Sequence, residues 1–319
     1  MKLLLSLSVS AEVRGVAVAA LAVFAIAGPA TADNLNAADL IVQAQIERRG
    51  DFIGFGFGSV WMMSGRKLVR VDVRDNSVID IAIPSARGPY RGMAVGEGGV
   101  WIPDTGNDTI TKVDPATNAA AVTIPVKMYG AEGSIGIGEG SVWVTGVDGN
   151  KGYFFRFDAA TGTEQARIQM PVADAVTVAF GSAWVTNLIK SEIYRIDATS
   201  NTLVATIPAP GGPVFITSGY GSIWTLALGR GVIYRIDPET NTLVATIETG
   251  GHRGGDIFSG GGYIWATYRE NLPLIQIDPQ TNEARIYAGS GFGDALTFGA
   301  GSVWISGRNI FRITPPNWD

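Results

Sequence analysis

"IYRIDPETNTLVATI" occupies residues 233–247, and "IYRIDATSNTLVATI" occupies residues 193–207, forty residues earlier. Near-identity at a fixed period of this length marks a repeat architecture, in which each unit is one supersecondary element stacked on the next. A second signature has the same period. "GSVW" ends at Trp61, "GGVW" at Trp101, "GSVW" at Trp143, "GSAW" at Trp184, "GSIW" at Trp224, "GYIW" at Trp265 and "GSVW" at Trp304. The spacings are 40, 42, 41, 40, 41 and 39, so the chain holds seven units, and only Trp318 of its eight tryptophans lies outside them.

Each unit has the same internal order. An apolar segment such as "DALTFG" (294–299) leads into a Gly-centred turn and then a strand carrying the Trp. A variable loop follows, then a strand of the "IYRID" type, a "DPETN" turn and a last strand such as "TLVATI". The alternation in "IYRID" and "LVATI" has period two, as half-buried strands require. In the turn, Asp237 accepts backbone N–H groups, Pro238 presets φ, and Asn241 tolerates the left-handed region. Asp72/Asn76, Asp114/Asn118, Asp197/Asn201 and Asp278/Asn282 repeat the pattern, and Asp158 is followed by Gly162. Four strands in each of seven units predict an all-β, seven-bladed β-propeller. The last unit ends at "NIFRITPPNWD" without a fourth strand, whereas "ADLIVQAQIERRG" (38–50) is a spare one ahead of the first unit. The N-terminal strand, over about residues 39–46, is therefore expected to complete the last blade and remove its open edge.

The composition agrees. Gly occupies 42 of 319 positions, a level suited to many tight turns, and there is no cysteine. The formal charge of −5 argues against a nucleic-acid binder that works by neutralising phosphates. Residues 1–32 read as an export signal. Lys2 and Arg14 precede the compact apolar core "GVAVAALAVFAIAG" (15–28), and Ala30-Thr31-Ala32 forms a small-x-small cleavage site. The expectation is a periplasmic or secreted protein whose mature domain is 33–319. No membrane span should remain after signal removal, and the protein should be a monomer.

The "IYRIDPETNTLVATI" unit resembles the YVTN-type propeller repeat. The "GSVW" strand after an apolar inner strand resembles the streptogramin (virginiamycin B) lyase family of seven-bladed propellers. The resemblance covers residues ~38–314 and lies mostly in positions that build the fold. It implies, for a true lyase, magnesium held by two Glu, a general-base His and a second His that contacts substrate, at the channel mouth of the last two blades. Counted from Trp304, the base position falls on Asp294 and the metal-ligand positions on Phe292 and Arg308. The substrate-His position falls on Gly255, with His252 three residues upstream. A Phe cannot bind magnesium and an Arg repels it. The family's own chemistry is therefore not expected here.

The loops entering the inner strands and those following the Trp strands share one face of a propeller, around the central funnel. Candidate ligand-binding residues on that face are Asp51, Arg91, Asp104, Asp174, Tyr268 and Arg308. The aspartates suit a cation or a sugar, and Arg91 and Arg308 suit a carboxylate. A salt-bridged, solvated rim is the alternative. His252 is the sole histidine, and with Asp294 it forms the candidate catalytic pair. One His and no Cys exclude a zinc or copper cluster, while carboxylate-bound calcium or magnesium stays open. The primary expectation is an exported propeller binding a small polar molecule or protein partner at the funnel face. The alternative is a lyase or hydrolase with a different catalytic set. A DNA-binding propeller of the YVTN type is disfavoured by the acidic charge.

Overall fold

The computed structural model describes residues 32–83, 88 and 92–318. The expected signal segment through Thr31, and the candidate Arg91, lie outside the described residues. Seven separate sheets are present, each with four antiparallel strands counted from its inner strand outward. Their inner strands are Asp51–Gly56, Ala94–Gly96, Ile135–Gly138, Val176–Ala179, Pro213–Gly219, Asp256–Gly260 and Ala295–Gly299. Consecutive inner strands lie side by side, and the seventh meets the first, so the ring is closed.

Closure runs through the N-terminus, as the missing fourth strand required. Strand β1 (Ala32–Asn36) and strand β2 (Val42–Ile46) precede the first blade. β2 pairs antiparallel with Ile310–Ile313, with Val42 opposite Ile313 and Ile46 opposite Ile310. β1 was not anticipated. It adds in parallel to the outer strand of the sixth blade, Ala32 opposite Ala284 through Asn36 opposite Ala288, giving that blade a fifth strand. A one-turn 3₁₀ helix, Ala37–Asp39, links the two strands. Ala37 and Leu40 are buried in the core between blades six and seven.

Between every two blades lies one apolar core, and each contains the Trp of the earlier blade, fully buried. Each indole N–H donates to the carbonyl five residues upstream, at the end of the inner strand, as from Trp61 to Gly56 (3.0 Å). The buried polar atom is thereby satisfied, as burial of a Trp demands.

A belt of cations joins the blades on the opposite side of each Trp. Arg70, Lys112, Arg156, Arg195, Arg235 and Arg312 stand directly across the sheet from the Trp residues and lie 4.7–5.0 Å over their rings. Each arginine also donates from Nε to the Ser of its own "GSxW" strand, as in Arg235–Ser222 at 2.8 Å. Nη1 then reaches the Asp-x-x-x-Asn turn of the following blade. Asn76, Asn118, Asn201, Asn241 and Asn282 accept there, and each adopts the left-handed φ predicted for it.

The exceptions vary together. Blade two has Gly99 in place of Ser and Lys112 in place of Arg, and the next turn has Gly162 in place of Asn. Lys112 donates only to the Ala159 carbonyl. In blade six the neutral Gln276 stands where the other blades have a cation. No turn faces it, because blade seven takes its outer strand from the N-terminus. Gln276 bonds instead to the Pro316 carbonyl of the C-terminal tail. Trp318 of that tail stacks on Tyr263 and lies under Arg285.

Candidate functional site

The inner strands enclose a channel of about 400 Å³, lined mostly by apolar side chains such as Ile53, Val95, Ile137 and Val178. Its mouth lies at the N-terminal ends of the inner strands, where charged residues begin. A small cavity of about 90 Å³ there is lined by Asp51, Glu132, Asp256, Arg269 and Asp294 among others. Beside it, over blades six, seven and one, opens a cleft of about 860 Å³. Phe52, Met63, Leu272 and Phe292 form its apolar wall, and Arg49, Asp51, Arg269, Asp294 and Arg308 supply its charge.

Local backbone chemistry builds this cleft. The ladder between the first two strands of blade one skips a residue between Asp51 and Ile53, which is a β-bulge. The Phe52 N–H is taken by Asp51 Oδ1 at 2.9 Å, and Phe52 adopts φ = 54°. A bulky residue in the left-handed region is costly, and such strain concentrates at functional sites. Phe292 is held by a tilted ring contact with Phe311, centroids 4.8 Å apart.

Electrostatics divide the charges into two sets. Arg269 Nε meets Asp294 Oδ2 at 2.6 Å, so the aspartate at the base position is already paired. Burial raises the Asp51 carboxyl above its usual range, against the Phe52 N–H that it accepts, and the Asp294 charge adds to the rise. Burial pushes Asp256 further, to about 7. The N–H groups of Leu296 and Ile257 oppose the shift, and Asp51 and Asp294 reinforce it. Arg49 and Arg308 make no ion pair among the described residues.

Asp51, Asp294 and Arg308 are thus brought to one cleft, and the other described candidates are not. Tyr268, expected to contact ligand, is instead fully buried in the core between blades five and six. Its hydroxyl shares a hydrogen bond of 2.6 Å with Thr249, and burial pushes its pKa up to about 12. The glycines around His252 are not there for flexibility. A Cβ on Gly251 would sit 2.1 Å from the Tyr268 ring, so the segment is pressed onto that ring. Asp104, also expected to bind ligand, is 4% exposed and organises its own loop, accepting from the N–H groups of Gly88 and Gly106 and from Asn107 Nδ2. Asp174 accepts from the Leu188 N–H at 2.7 Å, and burial raises its pKa. His252 is exposed, with Nδ1 3.1 Å from the Leu228 carbonyl, and lines neither the cleft nor the mouth.

Arg49, Arg269 and Asp256 are site residues that the sequence reading did not select. Arg269 and Asp256 were visible as loop charges near the expected face, but nothing in the one-dimensional pattern shows which loops meet. The magnesium site implied by the lyase resemblance does not fit this chain. Its ligand positions carry the apolar Phe292, in ring contact with Phe311, and the cationic Arg308, and no group of three His, Cys, Asp or Glu among the described residues is placed to hold a metal.

No protein-family profile and no curated protein sequence matches the chain. Solved structures do. A streptogramin B lyase structure superposes with a TM-score of 0.73 at 21% identity, over 86% of this chain and 96% of that one. Virginiamycin B lyase from Staphylococcus aureus gives 0.74 at 16% identity, over 87% of this chain and 100% of that one. A chain of the Mitotic Checkpoint Complex gives 0.74 at 8% identity, covering 99% of each. Equal scores from such different proteins show that the likeness is one of fold.

Proposed function

We propose that this chain is an exported propeller that binds a small anionic molecule with an apolar body in the cleft over blades six, seven and one. The observation that carries the reading is that two guanidinium groups without an ion pair among the described residues, Arg49 and Arg308, line one cleft with the apolar wall of Phe52, Leu272 and Phe292. Arginine recognises carboxylate and phosphate through a fixed fork of donors. The aromatic wall supplies buried area, as in most small-molecule sites. The bulge between Asp51 and Ile53 supports a binding role, because Phe52 at that bulge lines the cleft. Export rests on the apolar core at 15–28 and the small residues before Asp33, and no helix among the described residues is long and apolar enough to cross a membrane.

The lyase or hydrolase alternative is weakened by two observations. Asp294 is held by Arg269, and His252 lies outside the cleft lining. The test is calorimetric titration with aromatic carboxylates, medium-chain fatty acids and organic phosphates. At least one class should bind, and Arg308→Ala and Arg49→Ala should each weaken it tenfold or more. Binding confined to neutral or cationic compounds, or indifferent to both substitutions, would overturn the assignment.

A further inference from the structure

Three adjacent blades begin their inner strands with an aspartate. Asp256 and Asp51 open the inner strands of blades six and one, and Asp294 immediately precedes that of blade seven. Because the ring closes seven onto one, the three carboxyl groups line one small cavity at the mouth of the channel, together with Glu132 and Arg269. Asp51 and Asp294 also line the neighbouring cleft, where Arg49 and Arg308 make no ion pair among the described residues. The cleft read as an anion site thus has two carboxylates in its wall and a third behind them.

The charges around Asp51 come from several blades. Arg269 of blade six is paired with Asp294, Nε to Oδ2. Asp256, Asp294 and Glu132 are like charges, and Arg49 and Arg308 are left to offset them. Asp256 accepts backbone N–H groups at both oxygens, from Ile257 and from Leu296. Asp51 accepts one, from Phe52 at Oδ1. Burial raises both carboxyls above the usual carboxylate range. An anion held between Arg49 and Arg308 moves this balance in one direction. It neutralises the guanidinium charges that favour ionised carboxylates, adds a like charge beside Asp51, and displaces water from it. Each of these effects strengthens proton binding.

We infer that the cleft takes in a proton together with its anion, the proton settling on the Asp51–Asp256 pair. The inference rests on the anion-binding reading of the cleft. The proton comes from solvent and adds to a carboxylate oxygen, with Asp51 Oδ2 the one that no backbone N–H engages. The anion then sits against two guanidinium groups with one negative charge fewer behind them. Linkage is reciprocal, so a lower pH strengthens anion binding by the same factor as the anion strengthens proton binding. The site therefore loads at acid pH and releases its anion as the pH rises.

The probe is 2-naphthalenesulfonate, an aromatic anion whose charge is constant over the working range, so every proton counted belongs to the protein. Added to the full chain in lightly buffered solution near neutral pH, it should raise the pH. The acid needed to restore the starting value should come to about 0.3–1 proton per anion bound. Affinity measured by calorimetry should fall about threefold or more from pH ~6 to pH ~8. Asp51→Asn keeps the acceptor for the Phe52 N–H and removes the charge, so at the higher pH it should bind more tightly than the parent and take up fewer protons. Adding Asp256→Asn should abolish the uptake, whereas His252→Gln, outside the cleft lining, should leave it unchanged. Binding without proton uptake, uptake that survives both aspartate substitutions, or uptake lost with His252→Gln would overturn the inference and leave the anion reading standing. No binding at any pH, or binding indifferent to Arg308→Ala, would end the reading and the inference together. The proton count on the parent chain decides by itself, so the outcome does not depend on the variants folding.

Discussion

Arg235 of blade five binds Asn282 of blade six, Nη1 to Oδ1 at 3.0 Å, and the same nitrogen meets the Pro279 carbonyl at 2.6 Å. The guanidinium also lies 5.0 Å over Trp224 and donates to Ser222. One side chain thus fixes the Trp strand, its own blade and the next turn.

Arg235→Ala is expected to lower stability by about 2–3 kcal/mol, because it strands several partly buried acceptors at once. Arg235→Lys should cost less, since Lys112 keeps the carbonyl contact alone in blade two. In a double-mutant cycle with Asn282→Ala, denaturant unfolding should show coupling of about 0.5 kcal/mol or more. Simple additivity would dismiss the belt as an energetic unit.

Removing residues 32–46 takes away both β1 and β2. It bares the edge of Ile310–Ile313 and withdraws Ala37 and Leu40 from the core between blades six and seven. Calorimetry should show a sharp fall in melting temperature, with aggregation through the opened edge. A truncated chain that melts like its parent would mean that the ring does not depend on this strand.

Asp256 gives the stability a pH signature. Its folded pKa, about 7, lies above the ordinary carboxylate value of 3.8, so between these values the folded state holds a proton that the unfolded state has released. Stability from this group is therefore greatest below pH ~4 and declines as pH rises to about 7, after which the loss is complete. The size is about 1–2 kcal/mol, since Asp256 is only half-buried as a residue and solvent screens part of its cost. Asp256→Asn loses one acceptor for Ile257 or Leu296, so its absolute stability is a poor guide. The check is the slope: from pH 5 to pH 8.5 the variant should lose less melting temperature than the parent.

Asp294→Ala should change stability by under about 1 kcal/mol, because its pair with Arg269 is largely solvent-facing on the arginine side. It should at the same time free Arg269 to join Arg49 and Arg308 in the cleft, so affinity for an anionic ligand rises while Arg308→Ala lowers it. Titration of both variants with the same carboxylate decides the matter. Parallel losses would assign Asp294 a direct role in holding the ligand.

The sequence by itself determined the ring. Trp spacing, period-two strands and the Asp-to-Asn turn are local patterns, and their physical causes act within a dozen residues: alternation of faces, the left-handed tolerance of Asn, and the need to bury an indole. The missing fourth strand after Ile313 and the spare one before Asp51 were legible for the same reason. Even the belt left a trace, since Ser, Arg and Asn change together at Gly99, Lys112 and Gly162, though its partners lie in the next blade. The tertiary structure alone decided the site. Tyr268 and Arg269 are adjacent in the chain, yet one ring is buried against Thr249 while the other side chain turns to Asp294. That choice depends on which loop packs beneath which, and on a bulge at Asp51 beside Phe52 of the cleft wall. Charges from residues 49, 269 and 308 share one cleft only because the ring closes, and closure is a property of all seven blades together.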